Sequence, residues 1–123
     1  MKAKALLAEF REAALVGEVP GDRRSYSVFA GPKYYLVATL SAPLAGNFTL
    51  VDKRVVDYVR KRFGGRKDLT SGELLQKVKK PAWVRNRFDA LYILYILEAL
   101  GGASRRRAKP PARGFLFNLK KPR

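Results

Sequence analysis

The chain has 123 residues, 47% of them hydrophobic, which suits one folded domain and is too short for two comfortable ones. It holds no cysteine and no histidine, which excludes disulfides and thiolate metal sites and removes the commonest metal ligand and general base, so no metal, no cofactor and no enzymatic activity are expected. The net charge of +16 is polarised, with 8 basic against 6 acidic residues over 1–59 and 18 against 4 over 60–123. Such asymmetry points to a polyanionic partner, nucleic acid ahead of an anionic membrane surface. The N-terminus lacks the apolar core of a signal peptide, and no apolar run approaches the roughly 20 residues that a bilayer requires. A cytoplasmic protein without membrane contact is therefore expected. Three asparagines, one glutamine and one methionine leave few thermolabile side chains, as thermophile proteins often show.

Residues 2–16 place Ala3, Leu6, Leu7, Phe10, Ala13 and Ala14 at helical spacing before the stop at Gly17. Pro20-Gly21-Asp22 reads as a turn. Between 25 and 40 the period changes to two, and Ser25–Ala30, Gly31-Pro32-Lys33 and Tyr34–Leu40 read as strand, loop and strand. Ser41–Asn47 reads as a loop. Thr49-Leu50-Val51-Asp52 has the capping-box pattern and predicts a helix with Val51, Val55, Val56, Val59 and Phe63 inward, stopped by Gly64-Gly65. A second capping box at Thr70–Glu73 opens a short helix that buries Leu74, Leu75 and Val78.

Pro81–Leu100 is the longest apolar stretch and predicts the central helix, with proline at its start and Gly101-Gly102 at its end. A helix apolar on almost every side needs neighbours on almost every side, so it is expected to act as the core pillar. Ala103–Arg107 and Phe115–Leu119 read as a second hairpin, followed by a basic tail at 120–123. Together these elements predict an α+β fold in which a four-stranded antiparallel sheet, made of two β-hairpins, packs with four to five helices around the central helix. They form a single domain over 1–119.

Two constellations carry the functional expectation. Short helix, turn at Lys79-Lys80-Pro81, long helix and basic hairpin is the order of a winged helix-turn-helix. In that reading Arg85, Asn86 and Arg87 start the recognition helix, and Arg105, Arg106, Arg107, Lys109 and Arg113 grip phosphates from the wing. The alternative is an all-helical packing whose arginines only solubilise a face. The second constellation is aromatic: Tyr26, Phe29, Tyr34 and Tyr35 on one hairpin and Phe115 and Phe117 on the other can stack unpaired bases while the arginines neutralise phosphates. Any single one of these rings is more often core.

The order helix, aromatic hairpin, basic helix, short helix, long helix and basic hairpin, with stretches such as Gly46-Asn47-Phe48-Thr49-Leu50 and Pro81-Ala82-Trp83-Val84-Arg85, resembles the ThermoDBP family of single-stranded DNA-binding proteins from thermophilic archaea. The resemblance covers roughly residues 3–119. It implies a four-stranded antiparallel sheet joined to several helices, with a basic-lipped cleft. The resulting expectation is a binder of single-stranded nucleic acid, DNA ahead of RNA, with low sequence specificity. A winged-helix regulator of double-stranded DNA, typically a homodimer, and a structural RNA-binding protein of a ribonucleoprotein particle are the alternatives.

Overall fold

The structure, a computed structural model, describes residues 2–21, 24–42 and 45–122. The fold is α+β, with a four-stranded antiparallel sheet, a separate two-stranded sheet and four helices among the described residues. None of those helices is long and apolar enough to cross a membrane. The chain forms two compact units, Met1–Arg54 and Val55–Arg123.

In the first unit, helix α1 (Ala3–Arg11) precedes the strands β1 (Ala14–Pro20), β2 (Ser25–Ala30), β3 (Tyr34–Ala42) and β4 (Ala45–Asp52), which pair in that order as an antiparallel meander. The predicted helix over 2–16 therefore ends at Arg11, and its last residues belong to β1. A nine-residue helix is marginal by itself, whereas Leu15 and Val19 gain partners in a strand beside β2. Val16 is the extra residue of a bulge, since Leu15 faces Phe29 and Gly17 faces Val28.

The expected capping box at Thr49 is likewise overturned. Thr49 and Val51 pair with Val37 and Tyr35 as strand residues, and Asp52 itself caps the next helix by accepting a 2.8 Å bond from the Arg54 N–H. The expected loop Ser41–Asn47 is largely strand, with residues 43 and 44 outside the described residues.

Register assigns the side chains to two faces. Val19, Tyr26, Val28, Tyr35, Val37 and Thr39 share one face, on which Val19, Val28, Val37 and Thr39 are buried. Phe29, Tyr34, Leu36 and Phe48 share the other. Helix α1 is tied to this second face by an edge-on contact of Phe10 with Phe48, ring centroids 4.9 Å apart. It is also tied by Glu9, a buried carboxylate that accepts backbone N–H bonds from Lys33 (2.8 and 3.1 Å) and Tyr34 (2.7 Å) in the β2–β3 turn. A buried anion is tolerable when its lone pairs are met this way. Gly31 makes room for it, since a Cβ there would stand 3.0 Å from Glu9 Oε1.

The second unit contains the rest of helix α2 (Lys53–Phe63), α3 (Ser71–Val78), α4 (Arg87–Ala99) and the hairpin β5 (Ala103–Arg107) and β6 (Phe115–Leu119). This hairpin forms its own sheet and does not extend the four-stranded one, which draws all its strands from the first unit. Leu69 adds a third, one-residue strand to it by exchanging bonds of 2.8 and 2.9 Å with Phe117. The capping box of α3 forms as expected, with Thr70 Oγ1 accepting from Glu73 N at 3.0 Å.

The central helix is shorter than its apolar stretch. Pro81-Ala82-Trp83 is a turn, with Trp83 N and Val84 N bonded to Lys80 O, and Asn86 caps α4 by accepting from Asp89 N at 2.9 Å. From Ala90 onward α4 is the pillar that its composition requires, with Ala90, Ile93, Leu94, Tyr95, Ile96 and Leu97 buried.

Candidate nucleic-acid interface

In chain order the second unit runs through helix α2, a one-residue strand at Leu69, α3, a turn, α4 and a hairpin whose return strand lies between Leu69 and β5. The chain reverses at Gly101-Gly102, so β5 runs back along α4. Arg105 bonds Glu98 at 2.8 Å and lies 5.5 Å from the Tyr95 ring centroid. Continuing four residues beyond Arg105 covers about 13 Å, and returning from Glu98 to Arg87 on α4 covers about 16 Å. The hairpin turn and the N-terminal tip of α4 therefore point to the same end of the unit.

At that end the tip is held rigidly. Asp89 Oδ2 accepts from the Arg85 backbone N–H and from Arg85 Nε, each at 3.0 Å, while Asn86 closes the first turn. The hydrogen bond that Arg85 donates to Asp89 holds its guanidinium even more firmly protonated than usual, yet the Arg85 side chain stays exposed. Arg87 makes no ion pair among the described residues, and its Nε lies 4.0 Å from where a Gly72 Cβ would stand. On the wing, Ala108 N bonds Gly114 O and Ala112 N bonds Lys109 O, leaving Lys109 and Arg113 exposed and without an ion pair among the described residues.

The three consecutive wing arginines have different fates. Arg105, expected on phosphates, is a correction: its side chain is only 11% exposed, is paired with Glu98 and lies 4.3 Å from the Phe115 ring centroid. It joins the wing to α4 and is not available to a ligand. Arg106 pairs with Asp68 at 2.9 Å on the surface and remains about half exposed. Arg107 stacks over Phe115 at 5.1 Å and is exposed.

The expected stacking surface is not assembled. Phe117 is fully buried in the strand pairing with Leu69 and cannot stack on a base. Phe115 is half-buried and faces two guanidinium groups. Tyr26 and Tyr35 lie on one face of the four-stranded sheet, and Phe29 and Tyr34 on the other, all half-buried, with Lys53 Nζ 5.5 Å from the Tyr35 ring centroid. Alternation along a strand places neighbours on opposite faces, so Tyr34 and Tyr35 cannot share a platform.

Two features escaped the sequence reading. Phe88, in the first turn of α4, is 67% exposed. It sits inside a long apolar stretch, and only the Asn86-x-x-Asp89 capping pattern distinguishes it, by starting the helix at 87 and placing Phe88 before the buried run. Lys80 sits between two rings, its Nζ 4.6 Å from the Trp83 centroid and 4.7 Å from that of Tyr58, which meet edge-on at 5.5 Å. This clamp fastens the α3–α4 turn to α2. Nothing short of tertiary structure brings Tyr58 to it.

Comparison with protein-family models, with curated proteins and with solved structures gave no significant match.

Proposed function

We propose that this chain is a non-enzymatic nucleic-acid-binding protein whose second unit engages double-stranded DNA as a winged helix-turn-helix. The observation that carries the reading is the pairing of Leu69 with Phe117, which adds a strand from before α3 to the basic hairpin, as a winged helix-turn-helix requires, while the α4 tip is exposed. Helix α4 buries Ala90 and the run from Ile93 to Leu97, and its exposed residues, Arg87 and Phe88, lie in its first turn. It enters by its N-terminal residues, which is also how such helices meet base edges.

Within that tip the roles divide by elimination. Asn86 Oδ1 and Asp89 hold the cap, Arg85 pairs with Asp89, and Arg87 leans over α3. Arg87, Lys109 and Arg113 take phosphates. Phe88 is left to meet the bases, and the apolar group on a major-groove edge is the thymine methyl.

The single-stranded reading, supported by the resemblance to ThermoDBP proteins, needs exposed rings on a common surface. Phe117 is buried, and the four rings of the first unit divide between two faces, so it draws less support.

The test is competition binding by fluorescence anisotropy between a labelled duplex, its separated strands and RNA of the same sequence, across a salt series. The expected result is preference for duplex, with log affinity falling by about 0.9 per contacted phosphate for each unit of log salt. Preference for the single strands at every salt concentration would reject the winged reading.

A further inference from the structure

At the opposite end of the second unit lies an open cleft of about 580 Å³, bounded by Arg60 and Lys61 of α2, the Leu100–Gly102 turn that ends α4, and Lys120 and Lys121 after β6. None of these four cations makes an ion pair among the described residues, whereas Arg66, Lys77, Arg85, Arg105 and Arg106 of the same unit all do. One carboxylate, Asp57, shares the cleft, leaving a formal excess of three positive charges.

The walls are fixed by backbone pairing. Lys120 N donates to Gly102 O at 3.0 Å and Gly65 N to Leu119 O at 2.9 Å. Gly64 lets the segment after β6 lie against the end of α2, since a Cβ there would collide with Pro122 Cδ. The Arg60 guanidinium lies beside the turn, its Nη2 3.5 Å from where a Gly102 Cβ would be. The N–H groups of Leu100, Gly101 and Gly102 all bond back to α4 carbonyls, so the turn offers a ligand no backbone donors. Recognition must come from side-chain charge and the arginine fork, which suits phosphate oxygens and carries little sequence preference.

We infer that this cleft is a second phosphate-binding site, independent of the α4 tip. The separation is geometric. The cleft lies at the C-terminal end of a 13-residue helix, about 20 Å from its N-terminus, and at the open end of the hairpin, about 17 Å from the wing turn. A duplex seated on the tip and wing leaves it uncovered. The phosphates can come from a second nucleic-acid segment, in which case, given the winged reading, the protein bridges two segments, or from a small phosphorylated compound.

The test is a titration of the isotope-labelled full chain followed by amide NMR, first with inorganic pyrophosphate and separately with a short mixed-sequence duplex. Pyrophosphate should shift the amides of Gly101, Gly102, Lys120 and Lys121. The Lys120→Ala/Lys121→Ala double variant should weaken that response about tenfold while leaving spectral dispersion and the tip amides of Arg85–Phe88 unchanged. A second equivalent of duplex moving the same cleft amides identifies nucleic acid as the source. Pyrophosphate moving them while duplex does not identifies a small phosphate ligand and overturns bridging. Cleft amides unmoved by either probe overturn the site, whatever the duplex does at the tip. A tip unmoved by duplex, with the cleft responding to pyrophosphate, would instead reject the winged reading alone.

Discussion

Arginines 105 and 106 are adjacent and chemically identical, and the structure predicts opposite consequences for their removal. Arg105→Ala leaves Glu98, whose side chain is 19% exposed, without the guanidinium that bonds it at 2.8 Å. Losing a hydrogen bond to a charged group costs about 1.5–3 kcal/mol. Losing the contact with the Phe115 face, 4.3 Å away, adds about 0.5–1 kcal/mol. The pair is only partly shielded, so the sum falls below the 3–5 kcal/mol typical of a fully buried charge stripped of its partner. A loss of about 2–4 kcal/mol follows, or roughly 10 °C in Tm for a chain of this size.

Arg106→Ala breaks a pair whose side chains are 52% and 55% exposed, and should cost under about 1 kcal/mol. Urea denaturation followed by circular dichroism, with each variant measured beside the parent, reads the difference directly. The reasoning is refuted if the two variants lie within about 0.5 kcal/mol of each other, the scatter expected of ordinary surface substitutions.

Replacing Arg87, Lys109 or Arg113 by alanine should weaken duplex binding about equally for all sequences and lower the salt slope by roughly one unit each, measured by anisotropy; an unchanged slope would remove that residue from the phosphate contacts. Phe88→Ala should abolish any preference for thymine-containing duplex over the same duplex carrying deoxyuridine, while Phe88→Leu retains part of it; equal discrimination by all three proteins would show that the ring does not meet the bases. Glu9→Gln keeps the size but weakens the bonds to the Lys33 and Tyr34 N–H groups, and Glu9→Ala removes them, so stability of the first unit should fall stepwise, by about 1–3 kcal/mol for alanine, in thermal melts. A melt unchanged by Glu9→Ala would mean that the turn does not depend on the carboxylate.

Much of the second unit was legible because its signals are local. Thr70 and Glu73 are three residues apart and form the cap that their spacing indicates. The glycines at 64–65 and 101–102 follow the last turns of their helices. In the first unit local signals competed. Ala13 and Ala14 continue a helical spacing, and Thr49 to Asp52 resembles a cap, but edge strand β1 begins at Ala14 and Thr49 to Asp52 belong to edge strand β4, these residues pairing with others 12 or more positions away. Strand pairing is non-local and outweighs propensities of a few tenths of a kcal/mol per residue. The same applies to the candidate site: the turn, the helix and the hairpin were readable in order, but which of their arginines remain free was not.

By itself, the sequence determined the composition-level facts: a strongly basic C-terminal half, no thiol or imidazole chemistry, and an apolar helix that must be surrounded. These follow from residue identity and short spacings alone. Only the tertiary structure decided that Leu69 pairs with β6, that Phe117 is core, that Arg105 is consumed by Glu98 while Arg87 is not, and that four cations from separate segments line one cleft. The physical reason is common to all four. Whether a ring or a charge is available to a ligand depends on what the folded chain places within a few ångströms of it, and those neighbours lie 7 to 61 residues away in sequence.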